Sequence, residues 1–320
     1  MRMLLMAFVG LALSATLGMA QDTRTVTDDL GRIVEIPAEP QRIVSLDDNS
    51  ITLPLIDLGI DLYGSAGRIT EAGTPFVRGL LDTYGMSVAA GDLVFLGSQW
   101  EIDIETVAAA EPDFILAGAY QADLLEKLEA LAPVYVVEEK SEPWFVQNSI
   151  ARAMGMEETL AARKAAYEQR ITETIETLNI TPGSTFSVLQ PDADGVWTYH
   201  GLYAVTTVLL DLGMVPNAIT QELEETGPDF GDKVSYERFL DLDADYVFVT
   251  YFTGSDWGEL DWQIGHLNNF SQNWCDLLPA CADGRLIFMP YEPAGAPTFA
   301  ALNASLDIIS SQIATRAATR

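Results

Sequence analysis

The sequence predicts an α/β protein of two similar lobes, each with a mainly parallel sheet, joined by one long bridging helix. Three observations carry that expectation. Short apolar runs alternate with stretches of helical period, the pattern of buried parallel strands with helical flanks. Midway, residues 156–181 contain neither Gly nor Pro and are rich in Ala, Glu, Arg and Leu. Two segments also recur in the same order on either side of that stretch. Leu55-Ile-Asp-Leu-Gly-Ile60 returns as Leu209-Leu-Asp-Leu-Gly-Met214. In both halves a Glu, 105 or 237, stands eight residues before an Asp, 113 or 245, that introduces an apolar strand.

Residues 1–20 read as a cleaved export signal: Arg2, an apolar run from Leu4 to Leu17, then Gly18-Met19-Ala20 before Gln21. The run is short for a membrane span, and no cysteine near the cleavage point suggests a lipid anchor. The first lobe, residues 21–154, opens with a hairpin over 24–36 that turns at Asp28 to Gly31 and is ended by Pro37 and Pro40. Arg42 to Leu46 is a short strand. Asp47-Asp48-Asn49-Ser50 then supplies N-cap residues for a helix closed by Gly59. A helix over 103–110 precedes strand 114–117, and one over 121–131 precedes strand 134–137. The bridging helix lies within 155–181, about 35 Å long if most of it is helical. Leu160, Tyr167, Ile171, Ile175 and Leu178 share one face of it. The second lobe, residues 182–320, starts after Pro182-Gly183 with a strand at Thr185.

Composition narrows the function. Against 17 Lys and Arg stand 47 Asp and Glu, a net charge of −30. Such a surface repels nucleic acid and anionic lipid, and disfavours polyanionic ligands unless arginines offset it locally. Cys275 and Cys281 suit a short-loop disulfide in an oxidising compartment, with two free thiols as the alternative. Signatures of nucleophilic, phosphate-binding, dinucleotide-binding and zinc-protease chemistry are missing, and two histidines cannot build a site of several imidazoles. The remaining enzymatic reading is an exported hydrolase using paired carboxylates. A binder without enzymatic activity or cofactor is the expectation.

Candidate ligand contacts are aromatic and polar residues placed after strands, where open parallel sheets bind ligands. They are Arg68, Gln99, Trp100, Tyr120, Tyr199, His200, Phe230, Tyr251, Trp257 and Tyr291, with Trp197, Tyr203, Phe252 and Glu292 nearby in sequence.

The mature chain resembles the periplasmic binding proteins of the iron-siderophore, haem and cobalamin uptake family. The likeness rests on Val26-Thr-Asp-Asp-Leu-Gly-Arg32, Pro40-Gln-Arg-Ile-Val-Ser-Leu46, Gly97 with Glu105, and Pro112-Asp113-Phe-Ile-Leu. It continues in Val234-Ser-Tyr-Glu237-Arg-Phe-Leu and in Trp274 followed by Gly284-Arg-Leu-Ile-Phe. The resemblance implies limited hinge motion and delivery by a monomer to a membrane permease driven by a cytoplasmic ATPase. Glu105 and Glu237 match the glutamates that dock on permease arginines, although a helix N-terminus also favours such carboxylates. Tyr120 and Phe230 match aromatic ligand contacts of the ferric-hydroxamate binders. Where those proteins carry an arginine on the iron-bound oxygens, this chain has Gln99, with Arg68 as a substitute. The expected ligand is a ferric siderophore, hydroxamate-like or otherwise weakly charged. Haem or cobalamin, approached by Tyr199 or His200, is the alternative.

Overall fold

The computed structural model describes residues 22–318 apart from 143, 179 and 254–258; the expected export signal and Trp257 lie outside them. Strands β1 (Thr23–Thr27) and β2 (Ile33–Pro37) form an antiparallel hairpin. Its turn is fixed by the Asp28 carboxylate, which accepts the Leu30 and Arg32 amides at 3.1 and 2.9 Å.

The first lobe is built on β3 (Ile43–Ser45), β4 (Gly64–Ile69), β5 (Pro75–Phe76), β6 (Val94–Ser98), β7 (Glu101–Ile102), β8 (Phe114–Gly118) and β9 (Val134–Val137). Their order is β7-β6-β4-β3-β8-β9, parallel except for the short antiparallel pieces β7 and β5. The second lobe uses β10 (Thr185–Asp192), β11 (Gly195–Tyr199), β12 (Val215–Pro216), β13 (Gly231–Val234), β14 (Tyr246–Tyr251) and β15 (Leu286–Pro290) in the order β13-β11-β10-β14-β15. Here β10, β14 and β15 are parallel, whereas β11 runs antiparallel to both its neighbours, β10 and β13. Trp197 and Tyr199 therefore sit on a strand rather than in a loop after one, and Phe230 leads into β13. The cause is a tight hairpin in which Asp192 faces Gly195, a turn composition that favours strand return. Arg68 likewise lies inside β4, which begins at Gly64 and continues to Ile69, and Tyr251 is the last residue of β14.

Five helices matter for the site: α1 (Leu53–Asp57), which continues a π-helical turn over Asp48–Thr52, α2 (Ile104–Ala109), α3 (Glu157–Thr177), α4 (Tyr203–Asp211) and α5 (Phe299–Ala318). The bridging helix is α3. Leu160, Tyr167 and Ile171 are buried along it, but Ile175 is 47 % exposed because the last turn is almost wholly solvated.

The repeat read from sequence has a structural meaning. Asp113, ahead of β8, accepts the amides of Gln41 and Arg42 at the start of β3 (2.7 and 2.9 Å). Asp245, ahead of β14, accepts the amide of Thr185 at the start of β10 (2.8 Å). Each aspartate thus locks the register of two parallel neighbours in its own lobe. The other repeated pair holds the bridge. Asp57 receives Arg163 at 3.3 Å, and Asp211 receives the Tyr167 hydroxyl at 2.9 Å. Arg163 and Tyr167 are one helical turn apart on α3.

One apolar cluster runs through both lobes, from Phe114 and Tyr135 past Tyr167 to Phe186, Phe248 and Ile309. Two smaller clusters fill the outer faces of the sheets. Each fully buried side chain of this kind contributes about 1.5–3 kcal/mol, so much of the packing energy resists separation of the lobes. Cys275 and Cys281 are joined in a disulfide with Cα atoms 5.2 Å apart, beside the outer cluster of the second lobe.

Candidate functional site

Between the lobes lies a cavity of about 470 Å³. Its first-lobe wall grows out of the turn that follows β3. Asp47 is the N-cap of the π-helical turn: its Oδ1 accepts the Ser50 and Ile51 amides at 2.8 and 3.2 Å. Its Oδ2 accepts the Tyr120 hydroxyl at 2.9 Å. That ring is admitted by Gly118, where a Cβ would stand 2.4 Å from it. Trp100 packs on Tyr120 with ring centres 5.2 Å apart and is itself 64 % exposed.

Next to Asp47, Asp48 is fully buried and gathers two arginines. Arg78 forms a two-point contact, Nε to Oδ2 at 2.6 Å and Nη2 to Oδ1 at 2.7 Å, and Arg68 Nε reaches Oδ2 at 2.9 Å. Burial alone would raise the Asp48 carboxyl, but Arg78 and Arg68 outweigh it and hold it below the usual range. Arg78 Nη2 also donates to Asn49 Oδ1 at 2.6 Å. Gln99 is buried beneath this group: its side-chain oxygen accepts the Asp48 amide at 2.9 Å, and its backbone carbonyl accepts Gln121. The glutamine thus supports the charged wall and does not replace an arginine on it.

Glu139 completes the wall. Its Oε2 accepts Ser50 Oγ at 2.8 Å and the Tyr203 hydroxyl at 3.4 Å. Burial pushes Asp47 well up from the ordinary carboxylate range, reinforced by Glu139 and Asp48; burial and Asp48 also raise Glu139.

The opposite wall is aromatic. Tyr199, Leu202, Tyr203, Phe230 and Tyr291 line it. Tyr203 and Phe230 meet edge to face at 5.0 Å, and both hold positive φ, 31° and 73°. For bulky residues that conformation costs about 1–3 kcal/mol and gathers at binding sites. The Phe230 carbonyl is held by the His200 and Gly201 amides, and Gly231 after it permits an approach that a Cβ would block at 2.2 Å from Thr198 O.

Of the sequence candidates, Arg68, Gln99, Trp100, Tyr120, Tyr199, Phe230 and Tyr291 meet at this cavity. His200 and Tyr251 are not on its wall, and the His200 ring is bonded to Pro228 O at 3.1 Å. Trp257 lies outside the described residues. Sequence reasoning passed over Arg78, Glu138 and Glu139 and took Asp47 to Ser50 only for helix caps. A signal was available in two consecutive aspartates at the carboxyl end of a buried strand, more acid than one N-cap needs.

A ligand-sized cavity between two lobes that share one long helix defines a two-lobe binding protein. The chain belongs to the periplasmic binding protein family, whose description matches residues 75–258; that family is one of binders and not of enzymes. Among relatives, the Bacillus subtilis probable siderophore-binding lipoprotein YfiY is 26% identical over 239 residues, 72% of this chain and 69% of that one. The putative ABC transporter substrate-binding lipoprotein YhfQ of the same organism is 21% identical over 70% of this chain and 69% of its own. Staphylococcus aureus SirA complexed with staphyloferrin B superposes with a TM-score of 0.73 at 18% identity, covering 92% of this chain and 99% of that one. Staphylococcus aureus FhuD2 with bound ferrioxamine B gives 0.68 at 17%, covering 87% and 100%. These likenesses establish the fold.

Proposed function

We propose that this chain works outside the cytoplasm as the capture component of an ABC importer and carries a ferric siderophore in the cavity between its lobes. The observation that carries the reading is that cavity, sized for a chelate and lined by aromatic rings on one side and polar groups on the other. Rings would cover the organic shell of a hydroxamate-like chelate. The Nη atoms of Arg68, which make no hydrogen bond among the described residues, would reach its oxygens. Among the described residues no group of three or more His, Cys, Asp or Glu is placed to hold a metal ion. No helix among them is long and apolar enough to cross a membrane. Haem or cobalamin is less well served, since the His200 ring is bonded to Pro228 and the Tyr199 hydroxyl to Gln190 at 2.9 Å.

Delivery to the permease belongs to the same reading. Glu105 is exposed in the first turn of α2, and Glu237 in the first turn of the short helix Tyr236–Leu242. Both are away from the cavity wall, one on each lobe. Titration of the mature protein with ferric trihydroxamates is expected to quench tryptophan fluorescence through Trp100; binding of haem or cobalamin with no response to any ferric chelate would overturn the siderophore reading. Glu105→Ala with Glu237→Ala should leave chelate affinity unchanged and cut uptake about tenfold or more, since such contacts orient the encounter. Normal uptake by the double variant would remove the docking role.

A further inference from the structure

We propose that the chelate taken by this cleft carries a protonated amine, received between Asp47 and Glu139 and against the rings of Tyr120 and Tyr203. The inference rests on the siderophore reading and adds the charge of the ligand. Its basis is how the cavity allots its ionic partners. Two guanidinium groups share a single carboxylate, Asp48. Asp47 and Glu139, which both line the cavity, form no ion pair among the described residues. Among the described residues every hydrogen bond their carboxylates accept comes from a neutral group: the Ser50 and Ile51 amides and Tyr120 for Asp47, Ser50 Oγ and Tyr203 for Glu139. The neighbouring Glu138 is already matched by Lys140 at 3.0 Å.

A site for an anionic chelate would leave its arginines unpaired and keep carboxylates out. This one does the reverse. Two buried carboxylates whose nearest cation, Arg78, is bonded to Asp48 and acts on them only through space are costly, and burial has already raised both. An incoming ammonium removes that cost. It also finds rings on either side: Tyr120 with Trp100, and Tyr203 with Phe230, whose faces attract a cation. Arg68, bonded to Asp48 through Nε, is where the hydroxamate oxygens would lie. The cleft therefore offers both signs of charge, matching a ligand with an oxygen-rich iron centre and a basic tail.

The test uses three iron chelates and tryptophan quenching at neutral pH. Ferrioxamine B ends in a protonated amine; its N-acetyl derivative has the same iron centre and no charge; a ferric tris-catecholate is anionic. Ferrioxamine B is expected to bind about tenfold tighter than the acetylated form, the scale of one charge-assisted contact. Glu139→Gln should shrink that ratio, and Asp47→Asn, which keeps the capping oxygen, should shrink it further. Equal affinity for the two ferrioxamines, or a ratio unmoved by Glu139→Gln, would overturn the inference and leave the siderophore reading standing. So would tightest binding of the catecholate. No binding of any of the three would overturn both. Should Asp47→Asn fail to fold, Glu139→Gln decides alone.

Discussion

The two walls of the cleft differ in kind although the lobes that carry them are built alike. The first lobe supplies every charged group: Asp47, Arg68, Arg78, Glu138 and Glu139, with Asp48 just beneath. The second supplies Tyr199, Leu202, Tyr203, Phe230 and Tyr291, and no formal charge. In the first lobe the turn after β3 presents a run of side chains that need partners, and β4 and the segment beyond β5 bring arginines to them. In the second, two antiparallel strands widen the sheet and turn rings toward the same space. Related scaffolds can therefore divide the work, one wall choosing by charge and the other excluding water.

That division can be broken first at Asp48. Replacing it by Ala removes the one carboxylate that Arg78 and Arg68 both bond, and loss of a buried partner of this kind costs about 3 kcal/mol or more. Urea denaturation should register that loss. A change below 1 kcal/mol would mean that the charged wall is not held by its central carboxylate. A smaller effect is expected from Tyr203→Phe, which removes only the hydroxyl that crosses the cleft to Ser50 and Glu139 (3.3 and 3.4 Å). About 1 kcal/mol should be lost, and a neutral outcome would show that the walls meet through packing alone.

The smallest effect concerns pH. Asp47 and Glu139, facing Arg78, Tyr120 and Tyr203, hold protons in the folded chain at pH values where the unfolded chain has released them. Their contribution to stability is full at low pH and is lost as pH rises through the raised folded values. Asp48 has the opposite sign: its contribution disappears as pH falls through a lowered folded value. The ligand-free protein should thus melt highest at mildly acidic pH. Glu139→Gln should flatten the rise between neutrality and that maximum; an unchanged profile would assign the rise to relief of the overall negative charge.

The order of strands and helices was legible because period and punctuation are local. So was the repeat, since Asp113 and Asp245 act on backbone amides a fixed distance away in the sheet. Ile175 misled because a helical face says nothing about where the neighbouring elements stop. The hairpin β10–β11 was missed because Trp197 and Tyr199 were read for their chemistry and not for their alternation. In the cleft, aromatic residues were found by their place after strands. Arg78 was not, since it lies beyond the two-residue strand β5 and reaches Asp48 across thirty residues of sequence. Charge pairing of that range is set by tertiary packing, which no local pattern encodes.

Asp57 does more than its counterpart Asp211. Besides Arg163 it takes the amides of Phe299 and Ala300 at 3.0 and 3.3 Å, so a first-lobe carboxylate caps the C-terminal helix α5. That helix packs on both α3 and α4. One side chain thus fastens three segments that are far apart in the chain. A joint clamped in this way is expected to resist torsion and to favour small tilts of the lobes over a wide swing. On that expectation, a receptor that distinguishes the loaded from the empty form would sense a slight change of spacing across the outer surface, in the manner of a gauge, and not the closing of a wide jaw.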